Sequence, residues 1–321
     1  MRTTISSGTT TPRSCTHGRI AWCDDKPLTN QLPARYRICA AYFRLVRRLQ
    51  PRRITDRGHY VGASFLVRMI AAASRRLGVT NRLVLRANGT TLVCDMSEPR
   101  TLAIIDEARG RGWQNAFFQS VLEPGDTFLD VGANGGGMTA LACGIVDRSG
   151  AVFAVEPQPH LAALVRQTLD LNAPHGRVFE TAAGERSGVA TLAVPVGRSG
   201  SATLSSSSSA TGDRIEVNVT RLDELLGEMG ERQVKLLKID VEGHELAALK
   251  GAEQLLQRLR PTILFEFNLL LLHAAGHSPA ELLAWLEQRE YAFAEVESPS
   301  VRLTADQIAL EGSRDLIAYP A

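Results

Sequence analysis

Thr127-Phe-Leu-Asp-Val-Gly-Ala-Asn-Gly-Gly-Gly137 reads as a buried β-strand that ends in a carboxylate, Asp130, and opens into a glycine-rich turn. The residues that follow carry Met138, Leu141, Ala142 and Ile145 at helical spacing. A glycine turn between strand and helix lets a ligand approach the backbone, while the helix N-terminus presents N–H groups without intrahelical partners. The acid at the strand end selects among ligands. A nicotinamide dinucleotide places its pyrophosphate here and asks for G-x-G-x-x-G. In this chain Asn134 takes the second glycine position, and Asp130 would face the diphosphate. A ligand carrying an ammonium group and no phosphate suits the turn better, and S-adenosylmethionine is such a ligand.

Working outward, strands and helices alternate. The pattern predicts strand 151–156, helix 159–171, strand 177–182, then strands 189–194 and 214–219 with the serine run Ser205–Ser209 as a loop between them. Helix 221–229, strand 234–240, helix 244–259, strand 262–267, helix 279–289 and strands 292–297 and 316–319 follow. Upstream, a hairpin turns at Asn88-Gly89, and a single helical stretch over 101–121 leads into the glycine turn. Such alternation indicates an α/β fold with a mostly parallel sheet covered by helices on both faces, in which ligands bind beyond the carboxyl ends of the strands.

Four predicted strands carry acids at those ends: Asp130, Glu156, Asp240 and Glu266. A lone acid there is most simply a solvated end or a helix cap. Four on one rim repel one another unless a cationic or hydrogen-bonding group lies among them. Glu156 stands 24 residues beyond Gly132, at the end of the next strand, where a carboxylate can accept both hydroxyls of an adenosine ribose. Lys238-Ile-Asp-Val-Glu-Gly-His-Glu245 is the second dense patch, and alternation puts Lys238, Asp240 and Glu242 on one strand face. These three are the catalytic candidates: they could orient a hydroxyl or accept its proton, or they could form a salt-bridged strand end. No histidine pairing of metal-site type occurs; a divalent ion held by Asp240, Glu242 and Glu266 stays open but nothing in the spacing indicates it.

The net charge of +2 conceals an asymmetry. Residues 1–80 hold 15 Lys and Arg against three acids, a net of +12, and residues 81–321 hold 21 against 31, a net of −10. The expected organisation is a basic extension, 1–80, before a catalytic domain, 81–321. Within the extension, 1–33 lacks periodicity and reads as largely disordered, and 34–49 and 61–77 read as helices. Those helices could pack on the domain, contact a membrane surface weakly or touch a partner, and packing on the domain is favoured. The Ser-, Thr- and Arg-rich start would suit a transit peptide in a eukaryotic source. Five scattered cysteines without a C-x-x-C pair argue against a disulfide framework and a zinc site, and favour a reducing, cytoplasmic setting. No uncharged apolar run reaches the length of a membrane span.

Taken together these residues resemble the FkbM family of S-adenosylmethionine-dependent methyltransferases. The matching text is Pro124-Gly-Asp-Thr-Phe-Leu-Asp-Val-Gly-Ala-Asn134 with Gly136 and Thr139, then Val155-Glu-Pro-Gln-Pro159 and Leu169-Asp-Leu-Asn172. It continues through Ala182-Ala-Gly-Glu-Arg-Ser-Gly188, Leu222-Asp-Glu-Leu225, Lys238-Ile-Asp-Val-Glu-Gly243, Leu249-Lys-Gly-Ala252 and Phe265-Glu266. Each piece is weak alone, and their order and spacing carry the match. Gly135 departs from it, standing where the family has a larger apolar residue, which predicts a looser turn.

The resemblance implies a Rossmann-like class I methyltransferase fold with seven strands, the last antiparallel. It implies that Asp130, Gly132, Asn134 and Gly136 line the methionine side of S-adenosyl-L-methionine, with Ala133 and Thr139 in the same cofactor-binding set. Glu156 would take the ribose, Ala182 and Ala183 would lie near the adenine, and Asp240 would face the methyl group. Members commonly methylate hydroxyls, so the implied partner is a small-molecule hydroxyl acceptor. An RNA 2′-O-methyltransferase is the nearest alternative, motivated by the basic extension, but the acidic domain makes nucleic acid an unlikely partner. A non-catalytic cofactor-binding module is the alternative from another class. Neither the acceptor nor the oligomeric state is legible.

Overall fold

A computed structural model describes residues 21–23, 82–95, 98, 100–195, 199–204, 212–230, 232–308 and 312–321. The helices expected at 34–49 and 61–77 lie outside the described residues. Ala21–Cys23, inside the stretch expected to be disordered, forms a short strand, β1, parallel to β2 (Arg82–Ala87). Backbone pairing along an otherwise open sheet edge is sufficient reason for that addition. β2 and β3 (Thr90–Asp95) make the expected hairpin, with Asn88 and Gly89 both at positive φ, as a two-residue primed turn requires.

The expected helix over 101–121 is two helices, α1 (Thr101–Ala108) and α2 (Trp113–Val121). Gly110 and Gly112, at φ +62° and +97°, turn the chain between them. Then come β4 (Thr127–Val131), α3 (Gly137–Val146), β5 (Ala151–Val155), α4 (Pro159–Asn172) and β6 (Arg177–Phe179). Pro159 stands at the first helical position, where its missing N–H costs nothing.

A departure from the expected alternation follows. β7 (Ala182–Ala183), β8 (Gly188–Pro195), β9 (Thr203–Leu204) and β10 (Gly212–Thr220) form a separate four-stranded sheet in the order β7-β10-β8-β9. The predicted strand 177–182 is therefore split between two sheets. The remaining elements are α5 (Leu222–Met229), β11 (Val234–Ile239), α6 (Glu245–Lys250), α7 (Glu253–Leu259), β12 (Thr262–Asn268) and α8 (Leu269–Ala274). α9 (Pro279–Glu287), β13 (Tyr291–Glu295) and β14 (Ser313–Pro320) complete the chain. The helix expected over 244–259 is broken at Gly251, and α8 was not expected at all.

The main sheet runs β6-β5-β4-β11-β12-β14-β13, parallel except for β14, which is antiparallel to both neighbours. This is the Rossmann-like class I methyltransferase arrangement, seven strands with helices on both faces. Its strands are near-continuous apolar runs because both faces are covered. One face buries Leu129, Val155, Leu237 and Phe265 under α5, α6, α7 and α9. The other buries Phe128, Val152, Leu236 and Leu264 under α2, α3 and α4. The β2–β3 hairpin lies outside α4, where Asn172 accepts the Thr91 N–H at 2.8 Å and Thr168 accepts that of Val93 at 3.0 Å. Strand order reverses between β4 and β11, so a crevice opens beyond their carboxyl ends.

Candidate functional site

The glycine turn is held at that crevice by its neighbours on both sides. The N–H groups of Gly132 and Ala133 donate to the Val155 carbonyl at 2.9 and 3.1 Å, and Asp240 N–H donates to Val131 at 3.0 Å. Gly132 has φ +79°, and a Cβ there would overlap the Asp240 carbonyl oxygen. Gly135 overturns the expectation of a loose turn. A Cβ on Gly135 would run into the Cδ1 of Ile104, so α1 supplies from outside the bulk that the turn lacks. Glu107, one turn further along α1, rests against Gly137 at the start of α3, where a carboxylate is favoured by the helix dipole.

Beneath the turn lies a buried ionic knot. Asp130 and Lys238 are partners in the β4–β11 ladder, and Lys238 Nζ lies 3.1 Å from Asp130 Oδ1 and 3.5 Å from Asp240 Oδ2. It also donates to the Gly132 carbonyl at 2.9 Å, and Thr139 donates to the other Asp130 oxygen at 2.6 Å. Asp130 and Thr139 are fully buried. Burial opposes the charge on Lys238, but the carboxylates of Asp130 and Asp240 outweigh it and raise its pKa. An ammonium so held favours, of the two roles considered for Lys238, orienting a hydroxyl over accepting its proton. Asp130, Ala133, Gly136 and Thr139 do not reach the cleft wall; they fix the turn from behind.

The cleft itself has a volume of about 600 Å³ including its mouth. Gly132, Asn134, Glu156, Ala182, Ala183, Asp240 and Glu242, all singled out from the sequence, line it. Glu156 is buried, and its two oxygens accept the N–H groups of Asn134 at 2.8 Å and Gln158 at 2.9 Å. Burial pushes its carboxyl up to about 7 despite those bonds. Asn134 sits at φ +52°, and its amide oxygen is buried without a hydrogen-bond partner at the cleft wall. Ala182 and Ala183, with Val155 and Leu192, supply buried apolar lining.

Glu242 reaches the cleft through a left-handed residue, φ +54°, in the turn after β11 rather than by strand alternation. Burial and the neighbouring Asp240 and Glu266 push its carboxyl up to about 9. Glu245, accepting the N–H groups of Val241 and Gly243, is raised to about 8 chiefly by burial. Asp315 on β14 is raised to about 7 by burial and the same two acids. Glu266 is raised as well, with burial the leading cause. Among the described residues no three His, Cys, Asp or Glu side chains are arranged to hold a metal ion, and that includes Asp240, Glu242 and Glu266.

Several cleft residues had no signal in the sequence. Arg100, just before α1, lines the cleft beside Asn134. Gly200, Ala202 and Leu204 arrive from the small sheet, which is tied to the acid-bearing turn by two contacts: Thr203 donates to the Glu242 carbonyl at 3.1 Å, and the His244 ring meets the Leu204 carbonyl at 2.7 Å. Burial lowers the pKa of His244.

Residues 130–293 match the model of the methyltransferase FkbM domain. The 31-O-demethyl-FK506 methyltransferase FkbM of Streptomyces tacrolimicus is 32% identical over 160 residues, covering 41% of this chain and 61% of that relative. Among solved structures, the methyltransferase FkbM of Methylobacillus flagellatus KT is 15% identical and covers 68% of this chain and 59% of its own, with a TM-score of 0.36. Aeropyrum pernix fibrillarin, in complex with S-adenosyl-L-methionine, is 13% identical and covers 75% and 87%, with a TM-score of 0.39. The family match takes in just over half of the 321 residues, and the chain belongs to the FkbM methyltransferase family.

Proposed function

We propose that this chain is an S-adenosylmethionine-dependent methyltransferase that acts on a hydroxyl of a small molecule, with 81–321 as the catalytic domain and 1–80 as a basic extension. The observation that carries the cofactor reading is the pairing of Asn134 and Glu156, side by side on the cleft wall. The buried, partnerless Asn134 oxygen suits an ammonium donor, and Glu156, fixed by two backbone N–H groups, keeps lone pairs for a ribose diol. Gly132 leaves the backbone bare beside them, and the apolar lining at Ala182 and Ala183 suits a purine.

When bound, the cofactor supplies a methyl group already activated on a sulfonium. Positioning is then the main contribution of the protein, an effect that can lower a barrier by roughly 7–11 kcal/mol. Asp240 lines the cleft beside Gly132 and is placed to accept a hydroxyl proton, whereas Glu242, with its carboxyl pushed up to about 9, donates a hydrogen bond at neutral pH. The acids Asp240 and Glu156 on the wall disfavour a polyanionic acceptor, which supports a small molecule over RNA.

Calorimetric titration with S-adenosylmethionine and S-adenosylhomocysteine tests this reading. Glu156→Ala should weaken both by at least about tenfold, since bonds to a charged acceptor contribute roughly 1.5–3 kcal/mol each. No binding by the unaltered protein would sink the reading, and an unchanged dissociation constant in the variant would remove Glu156 from the site. Transfer of labelled methyl to small-molecule pools, with none to RNA, separates the enzyme from a cofactor-binding module and from the RNA alternative.

A further inference from the structure

We infer that Arg100 is the anchor for the carboxylate of the cofactor's methionyl group, so that the site selects ligands with an intact amino-acid end. This rests on the cofactor reading above. The lining of the cleft is charge-lopsided: Glu156, Asp240 and Glu242 are acids, and Arg100 is the one permanently cationic side chain lining it among the described residues. The ammonium and sulfonium of S-adenosylmethionine have acids and the Asn134 oxygen to meet. Its one anionic group has Arg100.

The position agrees with the chemistry. Arg100 stands beside the glycine turn because α1 packs on α3 through Ile104 over Gly135 and Glu107 at Gly137. Its guanidinium is steered by Glu107, with Nη2 3.4 Å from the carboxylate. Gly200, between β8 and β9, sits against it: a Cβ on Gly200 would lie 2.6 Å from Arg100 Nη1 and 2.8 Å from Asn134 Nδ2. Gly200 thus brings the backbone close while leaving the arginine and the asparagine side by side on the wall. A planar guanidinium offers a carboxylate two parallel N–H donors, a geometry that lysine cannot copy.

The test compares S-adenosylmethionine with its decarboxylated form, which keeps the ammonium and the sulfonium. The unaltered protein should bind the decarboxylated ligand at least about tenfold more weakly. Arg100→Ala and Arg100→Lys should lose affinity for S-adenosylmethionine by about that factor and bind the decarboxylated form nearly as before, erasing the preference. Equal loss for both ligands would show that Arg100 only supports the fold, and equal affinity of the unaltered protein for both would overturn the assignment without any variant. Failure of the unaltered protein to bind either ligand would instead overturn the cofactor reading, and this inference with it.

Discussion

Gly132 is where backbone geometry and ligand access meet most directly. Its φ of +79° is strained for any residue with a Cβ, and that Cβ would overlap the carbonyl oxygen of Asp240, a residue whose own N–H is bonded to Val131 of β4. Neither strand end can move without breaking the Lys238 bond to the Gly132 carbonyl. Gly132→Ala should therefore cost roughly 2–4 kcal/mol in denaturant unfolding and abolish measurable cofactor binding. A variant of ordinary stability and affinity would show that the two strand ends part easily. Glycine at this point is legible in the sequence, because the turn demands it whatever packs around it. Arg100 is the opposite case. It follows Glu98-Pro99 with no periodic or motif context, and only the docking of α1 on α3 brings it to the cleft.

At the scale of elements, the same distinction separates what periodicity reveals from what it hides. The strand–turn–helix at 127–146 and the strands at 151–155, 234–239 and 262–268 are readable because each is a mostly apolar run with glycine, proline or acid at its end. The small sheet is hidden, since its strands alternate like any half-buried strand and nothing local says which sheet they join. Gly135 shows how a residue can mislead when read alone: its missing side chain reflects occupancy by Ile104, not space. Gly135→Leu should cost roughly 1–3 kcal/mol by overpacking, and Ile104→Ala roughly 2–5 kcal/mol by leaving a cavity. Because each fills the volume the other vacates, the double variant should be at least about 1 kcal/mol more stable than the two losses added together. Additive losses in a denaturation cycle would mean that α1 does not supply the bulk of the turn.

For the whole molecule, the cleft concentrates carboxyl groups that burial and mutual repulsion keep protonated. Glu245 and Glu242 titrate near 8 and near 9 in the folded chain, each raised by burial first and by neighbouring acids second. In the unfolded chain such groups ionise at about 4.3. The folded protein thus holds protons that the unfolded chain has already lost, and stability must fall as pH rises, until the folded-state values are passed. His244, whose pKa burial lowers, works in the other direction, but below neutrality. From pH 7 to pH 9 the carboxyls act together with His160, whose pKa its hydrogen bond to Glu98 raises, and with the thiols of Cys94 and Cys143, which burial pushes up to about 12, all lowering stability as pH rises. Over that range the melting temperature of the ligand-free protein should fall by at least about 3 °C, since about 1 kcal/mol moves a domain of this size by roughly 2–4 °C. Glu242→Gln should flatten the slope, because an amide brings no charge into the cleft at any pH. Saturating S-adenosylmethionine, which places two cationic groups among these acids, should also flatten it. A melting temperature that stays level or rises from pH 7 to pH 9 in the ligand-free protein would show that the carboxyls ionise without penalty, and that the cleft is wetter than its packing implies.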